Sequence, residues 1–270
     1  MKVGLAQLNS QEDREANLKA ASEAVMRLAD DGCDLIALPE YVGFLNTDRG
    51  LMQAHAETFP GGRVYDAMAT LAQRLKVTLH AGSLVEKAPD GKLYNATAVF
   101  GPNGQEIAHY RKIHLFDVDI PGGVRYRESD LVGHGEQVVT YRVGDVTVGA
   151  AICYDMRFPE LWRVLRDRGA QVIVIPAAFT LATGKDHWEV LLRARAIETQ
   201  TFVAAVAQCL THSGGTRACW GHSMVIDPWG HLISQCSDGP GITSARLDFS
   251  VLERTRRDLP VANHHVLANC

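Results

Sequence analysis

The stretch VGAAICYDMRFPELW, residues 148–162, decides the fold, because its first half reads as a buried strand and its second half opens a helix. The strand run delivers a cysteine, Cys153, to a knot of charged and aromatic residues. A helical pattern over 158–169 then leads to QVIVIPAA (171–178), a second apolar run rich in β-branched residues. The same order stands near the start of the chain. VGLAQ (3–7) is followed by REANLKAASEAVMRLADDG (14–32), a helical pattern with a glycine stop, and then by CDLIALPE (33–40). Two matching strand–helix–strand units predict two similar sheets packed together in an α/β chain.

Working outward, GGRVYDAMATLAQRLK (61–76) predicts another helix and VTLHAGSLVEK (77–87) a strand. LYNATAVF (93–100) and EIAHYRK (106–112), joined by GPNGQ, predict a hairpin. From Ile113 to Val138 no periodicity holds, and a loop of that length in a compact chain points to function. Strands resume with QVVTYRV and DVTVGAAICYD, and KDHWEVLLRARAIETQ (185–200) is helical. TFVAAVAQ, GHSMVIDP, GHLISQC and GITSARLD add four strand-like runs. With no Pro/Ser-rich linker anywhere, one domain is expected over 1–270, with an irregular tail from about 260.

The totals exclude several classes. The 270 residues are 46% hydrophobic and 21% charged, with a net charge of −4, which gives no electrostatic footprint for nucleic acid or anionic membrane. RTRR (254–257) is the one tight basic cluster and fits a helix end better than a nucleic-acid patch. No apolar run approaches a membrane span, and MKVGLAQLNS turns polar too early for a signal peptide. Six cysteines, at 33, 153, 209, 219, 236 and 270, are spread without CxxC pairs or zinc spacing, so free thiols in a reducing cytoplasm are expected, with no metal and no cofactor. Asn95-Ala96-Thr97 is then a chance glycosylation sequon.

Cys153 alone is open to two readings, a nucleophile or a small hydrophobe closing a strand. None of the eleven histidines carries a motif tying it to Cys153, and the flanks lack the small-residue form of a nucleophile elbow. Strand ends offer partners instead, since open α/β sheets place ligands outside the carboxyl ends of strands. Glu40 ends its strand in the first unit as Cys153 does in the second, and Lys112 ends the hairpin. A carboxylate, an ammonium and a thiol together suffice for amide hydrolysis. Lys112 would lower the cysteine pKa, Glu40 would accept its proton, and Lys112 with the following backbone N–H would hold the oxyanion.

LPEY, YRKIHLFD and GAAICYDMRFPEL resemble, in this order, the signatures of the carbon–nitrogen hydrolase (nitrilase) superfamily. HWEVLLRARAIETQ and GHSMVIDPWG extend the likeness over nearly the whole chain. The resemblance implies a four-layer α-β-β-α sandwich, a catalytic Glu40–Lys112–Cys153 triad, a second orienting glutamate at Glu128, and pairing into a homodimer or higher even oligomer. Within the superfamily the chain is similar to the Nit branch and there to the deaminated-glutathione amidases. Related ω-amidases, carbamoyl amidases and nitrilases would share these four residues, as would a binding protein on the same scaffold. The implied reaction passes through a thioester on Cys153, with the Tyr154 N–H completing the oxyanion site and water releasing a free acid. The C-terminal tail departs from the basic, tyrosine-rich end expected of the group.

Substrate contacts are expected near the nucleophile. Arg157 could clamp a carboxylate or instead pair with Asp155 or Glu160. Phe179 and Thr180, just past the IPAA strand end, could line a pocket, and His187 and Trp188 would pack. A carboxylate clamp favours the ω-amide of a small dicarboxylic or 2-oxo acid, leaving the other five cysteines as unremarkable thiols.

Overall fold

The computed structural model describes residues 1–119 and 125–266. The first unit gives strand β1 (Lys2–Gln7), helix α1 (Arg14–Asp30) and strand β2 (Leu35–Ala37). Asp13 caps α1 by accepting from the Ala16 N–H, and Leu18, Ala21, Val25 and Leu28 form its buried stripe. Helices α2 (Arg49–Ala54) and α3 (Arg63–Leu75) precede β3 (Thr78–His80), β4 (Leu84–Lys87), β5 (Leu93–Phe100) and β6 (Glu106–Arg111). The Ile113–Val138 region holds a short hairpin, β7 (Asp117–Asp119) and β8 (Arg125–Arg127), followed by a 3₁₀ turn, Glu128–Asp130. Period-2 patterning is invisible there because each strand has three residues and a mostly exposed face.

The second unit gives β9 (Thr140–Val143), β10 (Val146–Ala150), a 3₁₀ turn at Cys153–Arg157, α4 (Pro159–Asp167) and β11 (Val172–Ala177). Helix α5 (Leu181–Thr199) starts a turn earlier than its sequence pattern predicts. Next come β12 (Phe202–Ala207), β13 (Cys209–His212), β14 (Arg217–Trp220), β15 (Met224–Ile226), β16 (Leu232–Gln235), β17 (Gly241–Arg246) and α6 (Phe249–Asp258). The sequence reading missed α2 and the β13–β14 hairpin, which is bounded by a glycine-rich turn. Residues 260–266 form neither helix nor strand; Cys270 and the rest of the tail lie outside the described residues, as does the PGG of 121–123.

One sheet runs β17-β1-β2-β3-β5-β4 with β6 on β5, and the other β16-β15-β12-β11-β10-β9. Each has a parallel core, β1–β2–β3 and β10–β11–β12, flanked by antiparallel strands. The two units also match in register, Gly4 facing Ile36 and Gly149 facing Ile173. Both glycines sit under a helix. A Cβ on Gly4 would meet Leu28 at 2.8 Å, and one on Gly149 would meet Leu165 at 3.1 Å. The repeated VG thus marks where each helix approaches its sheet.

Alternation assigns the layers. Val3, Leu5, Leu35 and Ala37 join Val148, Ala150, Val172 and Val174 in the core between the sheets, while Ala6, Ile36 and Leu38 pack on α1 and α3. Trp162 and Leu165 of α4 and Trp188 and Leu192 of α5 cover the second sheet. The result is the α-β-β-α sandwich.

Between the sheets lies one fully buried imidazole, His80, with Nδ1 2.9 Å from the Tyr141 hydroxyl. Burial pulls its pKa down to about 3, so the unfolded chain takes up a proton first as pH falls. The stability this group contributes is complete above about 6.5 and is lost progressively between about 6.5 and 3. In denaturation experiments across that window, His80→Gln is expected to have a shallower pH slope than the parent; equal slopes would refute the assignment.

Candidate active site

Four elements end at one place. Glu40 follows β2, Lys112 follows β6, Cys153 follows β10 and Ala178 follows β11, while Glu128 comes from the 3₁₀ turn after β8. All four ionisable or nucleophilic side chains are buried, Glu40 and Glu128 at 1% exposure and Lys112 at 2%. Lys112 Nζ donates to Glu40 Oε1 at 3.0 Å and to Glu128 Oε2 at 2.8 Å, placing one cation between two carboxylates. Asn95 Nδ2, on the inward face of β5, donates to both, at 2.8 and 3.0 Å. Asn95 was not singled out from sequence, although a polar residue on the inward side of LYNATAVF is the signal that could have found it.

The carboxylates differ in how fully they are engaged. Glu128 accepts from Lys112, Asn95, the Tyr41 hydroxyl at 2.9 Å and the Phe116 N–H at 2.7 Å. Glu40 accepts from Lys112 and Asn95 on Oε1, leaving Oε2 with the Ala178 N–H alone at 2.7 Å. A carboxylate oxygen offers two lone-pair sites, so Glu40 Oε2 retains acceptor capacity toward the cavity. Burial would raise the Glu128 pKa, but the Lys112 charge and the hydrogen bonds hold it below the usual carboxylate range. Burial likewise opposes the Lys112 charge, and the two carboxylates more than reverse this, holding Lys112 protonated.

Cys153 does not end its strand as the sequence suggests. β10 stops at Ala150, and Cys153 begins a 3₁₀ turn with φ of 46°, a left-handed conformation costly for a residue with a Cβ. The elbow therefore forms without flanking glycines, and Asp155 supplies what holds it. This fully buried carboxylate accepts from the Ile152 N–H at 2.8 Å, the Tyr110 hydroxyl at 2.6 Å and the His114 N–H at 3.0 Å. Tyr110 lies on β6 two residues before Lys112, so one acid ties the cysteine turn to the other sheet. The Tyr154 N–H comes too early in the turn to reach a carbonyl within it, whereas the next amide, of Asp155, donates to the Ile152 carbonyl at 3.0 Å.

Electrostatics correct one expectation. Burial and the Glu40 charge raise the Cys153 pKa well above that of a free thiol, and the lowering by Lys112 is outweighed. The reason is the charge count. One ammonium already serves two buried carboxylates, so a thiolate would be a third anion in a desolvated site. The resting thiol is neutral and must lose its proton during attack.

The cavity over Cys153 is lined by Glu40, Lys112, Tyr154, Phe179, Thr180 and Arg217, among others. It is narrow, with about 20 Å³ open to the centre of a water molecule. Phe179 and Thr180 stand where the sequence placed them. Arg157 does not line this cavity. Its guanidinium lies 5.3 Å from the Phe179 ring centroid and 5.7 Å from that of Tyr154, with Nη2 3.3 Å from His187 Nδ1. Trp188 packs as expected, donating from Nε1 to the His222 carbonyl at 2.9 Å. Arg217, which the sequence reading missed inside the glycine-rich SGGTRAC, reaches the cavity from β14 and donates to the Ala178 carbonyl at 3.0 Å.

Beyond Phe116, Tyr126, Thr180 and Arg217, which border both spaces, the cavity opens into a cleft of about 1080 Å³. Among the described residues no group of three His, Cys, Asp or Glu side chains is arranged to hold a metal ion. Nor is any helix there long and apolar enough to cross a membrane. The constellation thus offers a thiol, an acceptor for its proton, and a fixed ammonium beside it.

Comparison with known proteins agrees with this fold. Residues 2–257 match the family model described as carbon-nitrogen hydrolase. The chain is 41% identical to a bovine (Bos taurus) deaminated glutathione amidase over 97% of its own length and 81% of that protein. It is 35% identical to the omega-amidase NIT2-A of Xenopus laevis, covering 96% and 93% of the two chains. The crystal structure of Saccharomyces cerevisiae Nit3, of the nitrilase superfamily, superposes with a TM-score of 0.88 at 31% identity, over 97% of this chain and 94% of that one. The chain belongs to the carbon–nitrogen hydrolase family.

Proposed function

We propose that the protein hydrolyses the ω-amide of a carboxylate-bearing 2-oxo acid, with deaminated glutathione as substrate and Cys153 as nucleophile. The observation that carries this reading is the burial of Glu40, Lys112 and Cys153 around one cavity, with Glu40 Oε2 still able to accept a proton. Glu40 takes the thiol proton as Sγ attacks the amide carbonyl. Lys112 Nζ and the Tyr154 N–H hold the oxyanion, and Glu128 keeps Lys112 in place. The C–N bond then breaks, and the proton on Glu40 passes to the departing amine, leaving a thioester on Cys153. Water gives a proton to Glu40 and attacks the thioester; the C–S bond breaks, and the thiolate recovers that proton as the acid leaves. Two moderate barriers replace one high one.

In deaminated glutathione the departing amine belongs to a cysteinylglycine unit, so the leaving group is a dipeptide and not ammonia. The cleft outside the narrow cavity supports this substrate over 2-oxoglutaramate or 2-oxosuccinamate, which the ω-amidase reading would favour and whose leaving group is ammonia. Intact-mass spectrometry of protein quenched during turnover is expected to show the 2-oxoglutaryl mass on Cys153. Its absence from an active sample, or amidase activity retained by Cys153→Ala, would refute the mechanism.

We further infer that residues 1–270 act as one domain and that the protein works in the cytoplasm as a homodimer. The five cysteines among the described residues are free and buried, which supports a reducing compartment. Val190 and Ile197, two turns apart on α5 at 67% and 48% exposure, support a pairing face, and sedimentation velocity reads the mass directly.

A further inference from the structure

The cleft differs from the cavity in its charge. It is lined by four cations, Arg49, Arg125, Lys185 and Arg217, and by one acid, Asp48. Asp48 is engaged as the cap of α2, its carboxylate accepting from the Leu51 N–H at 2.9 Å. Arg49 and Arg125 have acidic neighbours, Asp130 at 2.7 Å and Asp119 at 3.6 Å, all of them well exposed, where such pairing is weak. Arg217 is placed differently. It stands at the junction of cavity and cleft, and its buried Nε has no hydrogen-bond partner among the described residues. Among the described residues Arg217 has no carboxylate partner, and a guanidinium so placed can take an incoming carboxylate in a charge-assisted pair.

The cavity over Cys153 is too narrow for more than the reacting amide group, so the rest of a substrate, including any bulk on the nitrogen side, extends past Arg217 into the cleft. We propose that Arg217, with Lys185 beyond it, forms a leaving-group subsite that binds a carboxylate carried by the departing amine. The amides selected are thus those of peptide-like amines ending in a free acid. This assignment rests on the amidase reading above and adds a specificity determinant to it.

The test crosses enzyme variants with substrate variants. The substrates are deaminated glutathione, its C-terminal carboxamide, and 2-oxoglutaramate, whose leaving group is ammonia. For the unmodified enzyme, capping the terminal carboxylate as an amide is expected to lower kcat/KM about 10- to 100-fold, the range for a charged hydrogen-bonded contact. Arg217→Met is expected to lose a similar factor on deaminated glutathione over and above any loss it shows on 2-oxoglutaramate, and on the carboxamide no more than the 2-oxoglutaramate loss. Because Arg217 also supports the Ala178 carbonyl, Lys185→Ala provides an exposed second variant, expected to raise KM for deaminated glutathione alone with kcat unchanged. Losses that simply multiply across enzyme and substrate changes, or that fall equally on 2-oxoglutaramate, would overturn the subsite. Failure of the unmodified enzyme to hydrolyse any of the three would instead refute the amidase reading.

Discussion

Lys112→Met is expected to cost about 3–5 kcal/mol of folding stability and at least about 10²–10³ in kcat. The stability loss follows from the burial of Glu40 and Glu128, which share this one ammonium and would face each other as uncompensated anions. Two neighbouring carboxylates relieve that repulsion by sharing a proton, which raises the pKa of one of them. The deficit relative to the parent should therefore shrink as the medium is acidified toward the carboxylate range, as urea denaturation at several pH values would reveal. Activity should not return with stability, because protonating a glutamate restores no oxyanion donor and removes a base. A variant equally deficient in stability at every pH would show that the triad is not electrostatically coupled in this way.

Glu40→Gln separates chemistry from architecture. With its oxygen at Oε1 the glutamine still accepts from Asn95 and Lys112 and forfeits one contact, that from the Ala178 N–H, while Glu128 still pairs with the ammonium, so the fold is expected to survive with a modest loss. What disappears is the acceptor for the Cys153 proton, in a site where burial keeps that thiol neutral. Loss of a general base of this kind lowers kcat/KM about 10²–10⁴-fold. The matching change at Glu128 should do the reverse, since an amide nitrogen in place of Oε2 would confront both the Lys112 ammonium and the Phe116 N–H, two donors where Glu40 Oε2 meets one. Glu128→Gln is therefore expected to lose more stability than Glu40→Gln and to retain more activity per folded molecule. Parallel thermal melts and active-site titration would decide it, and indistinguishable variants would refute the division of labour.

The parts of the molecule legible in the sequence are those whose signal is periodic or repeated. VGLAQ and VGAAI announce two equivalent strands, and their shared glycine reports a helix crossing close overhead. Strand ends then bring Glu40, Lys112 and Cys153 to one place without any knowledge of distances. Glu128 came from the family likeness alone, since no periodicity surrounds it. What stayed hidden depends on contacts between distant segments. Arg217 sits in a short hairpin whose register is set by neighbours, and Asp155 gains its meaning only from Tyr110 and His114. Arg157 shows the converse. Proximity in sequence suggests either a clamp beside Cys153 or an ion pair with Asp155 or Glu160, yet its side chain turns toward Phe179 and His187.

The narrowness of the space over Cys153 has a bearing on the order of events in a catalytic cycle. An opening of about 20 Å³ to a water centre holds about one water molecule at a time. In the proposed mechanism, an amine product in the mouth between Phe116, Tyr126 and Arg217 would shut the thioester behind it off from bulk solvent. Release of the first product then becomes the gate for hydrolysis. Under the mechanism proposed above, an amine that lingers would recapture the acyl group before water arrives, so the architecture that would protect the intermediate would also make acyl exchange between amines its expected side reaction.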